Sequence, residues 1–556
     1  MENHLHKNSK WIIYLLWVGA TLINIKSIFT DFGIDSSYAI ATSYRHISGD
    51  RLFIEMWEPH QTSSFLMDFL MILYKFFVPS LTGVALYLHI MGGLLWIPIL
   101  IILYKELSLH IDNRTCHIIC IFLFVFRPKQ TVLPEFSNMQ IAFSILFFIY
   151  LIKFLLNQSR YHLLVISAFF LCLEILSYPS CILAYLAAIV ILFIYTKKKW
   201  KSFFCFSFTC AGFGISYLGY FLLTRGTIEF INSLNSIISA DSSHTGVNFN
   251  LSSFLMFFKY QILYLIIALI SAYIIYILIR KSNNYSVTFL VIYGFFLLFF
   301  EIILLFVTDY MYIFGWEYGF YIICILLPLL GLFTIKRLNQ TERMIWIIGV
   351  IVSFISLIAT LILTNCSLDK SLPYFMLAAA ISFIPIEKAK KGIVFSFIIL
   401  LLVFSHRSLV TVGYGQAVDD GRIYEIENII RNGPAKGIVC DLLTVHIHRD
   451  SEKDFKLYTS EEDTVLIVSE PFIDPAMYML TTADIAAHSV ICTPTYNKES
   501  EKYWDKYPHK KPTVVALGCH YGTLHIDKDS YIMKWTEENY DFIGDGYYWR
   551  FYRIKN

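Results

Sequence analysis

Two carboxylates, Asp31 and Asp35, follow the first long apolar run of the chain. At the edge of a bilayer such groups can take a proton from a hydroxyl or hold a cation. A plainer role competes for Asp35, that of a helix N-cap accepting a backbone N–H. Further on, Trp57-Glu58-Pro59-His60-Gln61 crowds Glu58, His60 and Gln61 around a backbone-stiffening proline. The stretch 127–140 sets Arg127 and Lys129 ahead of Glu135. Arg and Lys are the usual partners of phosphate, although both would also suit a lipid headgroup layer. Glu174, just before the turn Ser177-Tyr178-Pro179-Ser180, and Glu301 are carboxyls inside apolar runs, where charge is expensive and faces a cavity or a partner. Asp309, Tyr310, Trp316 and Glu317 cluster at a turn, as a membrane belt or as a stacking surface. Arg225 and His406-Arg407 add positive charge at the ends of apolar runs. Cys440, Cys492 and Cys519 lack metal-ligand spacing, and His446 and His448 alternate as surface residues of a strand would.

The elements that must hold these groups are membrane spans. Of 556 residues, 57% are hydrophobic and 15% charged, against roughly 25% charged in ordinary globular domains. A net charge of +2 excludes a strongly basic nucleic-acid binder, and the 11 Cys lie mostly in apolar runs, unlike a disulfide scaffold. Apolar runs of spanning length lie at 11–29, 81–104, 115–126, 139–156, 161–177, 180–196, 203–223, 252–280, 286–308, 312–335, 344–365, 371–387 and 391–406, about thirteen in all. With the N-terminus inside, alternate loops hold Lys105 and Arg114, Lys153 and Arg160, Lys197 to Lys201, Arg280 and Lys281, Lys336 to Arg343, and Lys388 to Lys391. Every short basic loop then falls on the cytoplasmic side, and an odd number of spans puts the C-terminus outside. Residues 36–48 have helical spacing, with Ala39, Ile40, Ser43, Tyr44 and Ile47 on one face, Arg45 and His46 towards the other and Gly49 as a stop. A short amphipathic helix directly after a span lies in the membrane interface, and 63–78 reads as a second such segment. Residues 407–556 are polar and read as a soluble α/β domain with strands at 465–468, 488–492 and 513–517 and helix-like stretches at 423–431 and 476–482.

The first outer loop resembles that of the GT-C glycosyltransferases, the group with the lipid A aminoarabinose transferase and the protein O-mannosyltransferases. That family opens the loop with an acidic motif and continues with an interfacial helix bearing Tyr-Ala, a Ser-Gly-Asp turn, a Glu-Pro stretch and a second interfacial helix ending near Tyr-Lys. Here these read Asp35, Tyr38-Ala39, Ser48-Gly49-Asp50, Glu58-Pro59 and Tyr74-Lys75, in order over about 45 residues. Asp35-Ser36 stands where the family often has Asp-Glu, and Glu58-Pro59-His60-Gln61 only loosely echoes Glu-Lys-Pro-Pro.

The resemblance implies a mainly α fold: a GT-C-like helical bundle over 1–406 with interfacial helices in its first outer loop, and an extracytoplasmic α/β domain over 407–556. It implies a multi-pass plasma-membrane enzyme that moves a hexosyl or pentosyl group from a polyprenyl-phosphate carrier to a glycan, lipid or protein acceptor in the cell envelope. Asp35 would be the base, with Asp31 and Glu135 as further catalytic candidates. Arg127, Lys129, Arg225 and Arg407 would meet the phosphate. Glu58, His60, Gln61, Glu174 and Tyr178 join them as substrate-binding candidates. No cofactor is required; a divalent metal on Asp31, Asp35 or Glu135 is allowed. A lipid carrier makes physical sense, because no nucleotide exists outside the cell to activate the sugar. Competing classes are a lipid-linked oligosaccharide flippase, for which Glu174 and Glu301 would suit proton coupling, and an envelope-glycan polymerase. Transporters often show internal repeats, and none is visible here.

Overall fold

The computed structural model describes residues 2–30, 32–58, 60–127, 131–244, 266–267, 269–279, 285–307, 321–363, 371–389, 391–409, 426–469, 475–490, 497–520 and 523–555. Helix α1 (Glu2–Thr30) leads into α2 (Ile34–Ile47) and α3 (Phe65–Phe77). Then come α4 (Val84–Leu107), α5 (Asn113–Val125), α6 (Phe136–Leu156), α7 (Tyr161–Ser177), α8 (Leu183–Tyr195), α9 (Lys199–Arg225) and α10 (Thr227–His244). Further long helices are Tyr285–Val307, Gln340–Leu363 and Gly392–Leu409. Among the described residues, 6 helices are long and apolar enough to cross a membrane, and shorter apolar helices fill several of the remaining expected spans. Helix α6 runs through the middle of the bundle and is mostly buried, whereas α9 is mostly exposed along its apolar surface. Such exposed apolar side chains suit a helix that faces lipid, since its backbone is satisfied internally.

The basic loops gather at one end of the bundle. Lys153 pairs with Glu106 at 3.2 Å, Arg114 with Glu387 at 3.4 Å and Lys388 with Glu342 at 2.6 Å. The Arg337 guanidinium donates to the Lys388 carbonyl at 2.9 Å, and the Lys197 N–H to Gln158 Oε1 at 2.9 Å. Arg280, Lys281 and Lys390 lie outside the described residues.

At the opposite end α2 and α3 lie beside the mouth of the bundle. Gly49, at φ +122°, ends α2 in a conformation that costs glycine little and turns Asp50 back towards the helix. Helix α3 exposes Phe69, Ile72, Phe76 and Phe77 and turns Asp68 inward, where its carboxylate meets His46 Nδ1 of α2 and the Ser64 hydroxyl, each at 2.8 Å. Such an exposed apolar stripe suits a helix resting in a membrane interface.

The C-terminal region builds a sheet of order β4-β3-β5-β8-β7, with β6 paired to β5. Its strands are β3 (Thr464–Val468), β4 (Asp484–Ile485), β5 (Val514–His520), β6 (Thr523–Leu524), β7 (Tyr540–Asp545) and β8 (Trp549–Ile554). Strands β3, β4 and β5 are parallel, and β8 is antiparallel to β5 and β7. A separate hairpin joins β1 (Asn428–Ile429) to β2 (Val439–Cys440). Asn428 and Ile429 therefore form a strand where helix was expected, because their backbone pairs with residues 439–440 rather than with itself. Of the strand expected at 488–492, residues 488–490 form none and 491–492 lie outside the described residues; parallel pairing to β3 falls at 484–485. His446 and His448 sit on the helix Leu442–Tyr458, and His448 is fully buried rather than at the surface.

The sheet and the first outer loop share one core. Tyr38, Ile54, Met56 and Trp57 pack in the same cluster as Val465, Leu466, Tyr503 and Phe551. At the other edge, the N–H groups of Gly83 and Ala85 at the start of α4 donate to the carbonyls of Gly433 and Pro434, each at 3.0 Å. Those are helix-start donors with no partner inside α4, so the hairpin turn caps the span.

Candidate functional site

Asp35 stands half-buried in the first turn of α2. The N-cap position belongs to Gly33, in extended conformation, so capping is not what Asp35 supplies. Asp31 lies outside the described residues. The residue after Asp35, Ser36, places its hydroxyl 3.2 Å from that of Thr131, in the loop leading from Arg127 to Glu135. The first turn of α2 and this second outer loop are thereby brought side by side.

From Thr131 onward the loop is tied by hydrogen bonds. Thr131 Oγ1 accepts from the Leu133 N–H at 3.1 Å, and the Asn138 amide donates to the carbonyls of Thr131 and Leu133 at 3.0 and 2.9 Å. Glu135 is buried and caps α6, its two oxygens accepting from the N–H groups of Ser137 at 2.8 Å and Asn138 at 2.9 Å. An acidic residue at the start of an apolar run is a cap signal, and the sequence carries it here. Arg127 is fully buried, its guanidinium 5.2 Å from the ring centres of both Trp96 and Phe124. Arg407 is also buried and donates to the Val125 carbonyl at 3.2 Å and the Ser27 hydroxyl at 3.3 Å. Lys26 Nζ donates to the Arg407 carbonyl at 2.9 Å and so joins the group, although a lysine inside the first apolar run had given no such signal. Lys129 and the Arg225 side chain lie outside the described residues.

Glu58 occupies a closed cage. Its carboxylate accepts from the Ser489 hydroxyl and the Val490 N–H, each at 2.7 Å, and from Arg45 at 3.4 Å. Burial pushes the Glu58 carboxyl above its ordinary range, against the pull of Arg45 and the two donors. Arg45 is the hub that residue spacing did not reveal. It reaches Asp50 at 2.5 Å, the carbonyls of Glu55 and His488 at 2.6 and 3.1 Å, and the Tyr503 hydroxyl at 2.9 Å. Burial raises the Asp50 carboxyl, but Arg45 and Lys510, the latter 2.5 Å away, hold it below the usual carboxylate range. His488 is pushed down to about 3 by burial and by Arg45, and stays neutral.

Gln61 serves the backbone. It accepts from the Phe53 N–H at 2.7 Å and donates to the carbonyls of Glu58 and Met56 at 2.9 and 3.2 Å. It steadies the loop around Phe53, whose φ of 62° is costly for a bulky residue. His60 stacks on Phe136 at 4.1 Å and lies 5.2 Å from Tyr178, which continues the column to Tyr374 at 5.9 Å. Glu174 lies beneath this column, inside the bundle, and accepts from the Ser356 hydroxyl at 2.9 Å. The side chain of Glu301, with Asp309, Tyr310, Trp316 and Glu317, lies outside the described residues. Among the described residues no group of three or more His, Cys, Asp or Glu could hold a metal. Of the carboxylates considered for one, Glu135 is engaged as a cap.

No protein-family model and no curated protein matches the chain. Solved structures similar to it include the oligosaccharyltransferase AglB from Archaeoglobus fulgidus in complex with an inhibitory peptide and a dolichol-phosphate, with TM-score 0.43, 11% identity, and coverage of 92% of this chain and 69% of that one. The A. fulgidus oligosaccharyltransferase with Zn and sulfate has TM-score 0.43 and 11% identity over 90% of this chain and 67% of that one. ArnT from Cupriavidus metallidurans bound to undecaprenyl phosphate has TM-score 0.37 and 11% identity over 98% of both chains.

Proposed function

We propose that the chain is a multi-pass membrane glycosyltransferase of the GT-C kind. It moves a hexosyl or pentosyl group from a polyprenyl-phosphate carrier to an envelope acceptor on the outer face. The motif order from Asp35 to Lys75 supports the reading, and one structural observation carries it. Asp35, on a helix at the bundle mouth, is held through Ser36 and Thr131 against the loop that begins at Arg127. A carboxylate and buried guanidinium groups thus share one end of an apolar bundle.

The chemistry follows from those groups. The carboxylate of Asp35 takes the proton of the acceptor hydroxyl, a poor nucleophile when protonated. The freed oxygen bonds to the anomeric carbon, and the bond from that carbon to the carrier phosphate breaks, its electron pair leaving with the phosphate. Arg127 and Arg407 face the growing negative charge in a site of low dielectric, where each is worth more than in water. Lys129 and Arg225 are assigned to the same phosphate on sequence grounds. Glu135 anchors the loop that carries the cations. Glu58, His60, Gln61 and Tyr178 shape the wall beside it.

Asp35→Asn tests the reading. Because Gly33 holds the cap position, the change removes no cap. Folding and donor binding should survive while turnover falls by about 10²–10⁴-fold, the usual contribution of a general base. The measurement is release of polyprenyl phosphate from a labelled donor by the purified chain in detergent. Near-wild-type turnover would remove the catalytic assignment.

A further inference from the structure

Below the aromatic column, polar side chains from four elements meet inside the bundle. Gln140 and Ser144 lie one turn apart on α6 and face the same way. Glu174 comes from α7, Cys181 from the turn Pro179–Ile182, and Ser356 from the helix Gln340–Leu363. All five are buried. The Ser356 hydroxyl donates to Glu174 Oε1 at 2.9 Å, the Gln140 amide to Cys181 Sγ at 3.1 Å, and Ser144 and Cys181 stand against the same Glu174 carboxyl. Two oxygens are left over. Glu174 Oε2 and Gln140 Oε1 are enclosed and accept no hydrogen bond among the described residues. Hydroxyl and thiol groups adjoin the carboxyl, and no basic side chain among the described residues pairs with it. An enclosed carboxylate beside an enclosed amide oxygen is a strongly electronegative spot in a medium that cannot screen it.

We propose that this spot binds a monovalent cation, sodium, through Glu174, Gln140, Ser144 and Ser356. The candidate ligands are hard oxygens: a carboxylate, an amide carbonyl and hydroxyls, the set that suits alkali and alkaline-earth ions rather than soft metals. One positive charge cancels the single carboxylate, whereas a divalent ion would leave a net charge buried in the membrane. The neutral Cys181 thiol lines the site without ligating. Tyr178, four residues beyond Glu174, stacks beside His60 in the outer loop, so the ion would pin α6, α7 and Gln340–Leu363 beneath the wall of the site. The inference stands apart from the proposed transfer chemistry.

Thermal unfolding of the full chain in detergent, in sodium chloride against N-methylglucamine chloride at equal ionic strength, tests it. Sodium well above its dissociation constant should raise the midpoint by about 2–4 °C. In Glu174→Gln, which keeps the shape and removes the charge, that rise should vanish. Ser144→Ala keeps the carboxylate and should need roughly ten-fold more sodium for half the effect; it also serves if Glu174→Gln does not fold. Equal midpoints for the wild type in the two salts, a midpoint that follows pH and ignores sodium, an undiminished response in Glu174→Gln, or an unchanged sodium requirement in Ser144→Ala would each overturn the proposal.

Discussion

Arg45 shows how much a single side chain can be asked to hold. Its guanidinium meets carboxylates of the first outer loop and a hydroxyl and a carbonyl of the C-terminal region, all away from water. Such a network is high-stakes: complete, it specifies one packing, and broken, it strands charge. Arg45→Met would leave Asp50 and Glu58 buried with their principal cation gone. A loss of about 3–5 kcal/mol is expected, the usual cost of removing one partner of a buried pair. Melting of the purified variant checks this, and adding Glu58→Gln should restore part of the loss because it removes the carboxylate left without a cation, whereas Asp50 keeps Lys510. A midpoint unchanged in Arg45→Met would mean that the hub contributes nothing to stability. Glu135 teaches the complementary lesson. A carboxylate in an outer loop suggested chemistry, and its oxygens prove to be engaged by backbone amides.

At the scale of elements, what matters is how closely α4 can approach the loop between Arg127 and Glu135. Gly92 makes that approach. A Cβ added there would stand 1.9 Å from the Val132 carbonyl oxygen, a backbone atom that moves only if the loop moves. In a helix interior, alanine ordinarily gains about 1 kcal/mol over glycine. Gly92→Ala should do the reverse. It should lower the melting midpoint, and by pulling Thr131 from Ser36 it should lower turnover as well. A variant as stable and as active as the wild type would show that the loop yields without cost. Parallel measurements of melting and initial rate separate the two effects.

At the scale of the whole molecule, two features divide the chain between its ends. Ion pairs tie the basic loops together at one end. At the other, the sheet, the outer loop and the start of α4 are joined through a shared core and the Gly433–Pro434 cap. The rule that positive loops stay inside then predicts that the second end faces out. Cysteines introduced near Lys199 and in the exposed part of Leu442–Tyr458 would read this with an impermeant reagent applied from outside. Labelling in Leu442–Tyr458 and protection near Lys199 is expected; the opposite pattern would invert the topology and remove the outer face as the place of transfer.

Spanning runs, the change of polarity near residue 407, the one-sidedness of the basic loops and the short helix after the first span were legible from the chain alone. Each rests on composition or on periodicity within a few turns, where a side chain's environment is set by near neighbours in sequence. The strand at Val465–Val468 was legible for the same reason, as a buried apolar run bounded by acidic residues. The site was legible only in part. Asp35 and Arg127 announced themselves by residue type, but the contact that joins the elements near them, Ser36 to Thr131, spans 95 residues. The hub at Arg45 depends on His488, 443 residues away, and helical spacing had set Arg45 merely off the apolar face. Two-residue strands such as Asn428–Ile429 and Asp484–Ile485 have no periodicity to read and exist because a partner strand offers hydrogen bonds. His448 looked like a surface residue until a helix and the Gly433 turn closed over it. Local pattern determined which segments are long, apolar helices and which are polar. Only long-range packing decided which polar groups are buried together, because the cost of burying a charge depends on partners that sequence proximity does not supply.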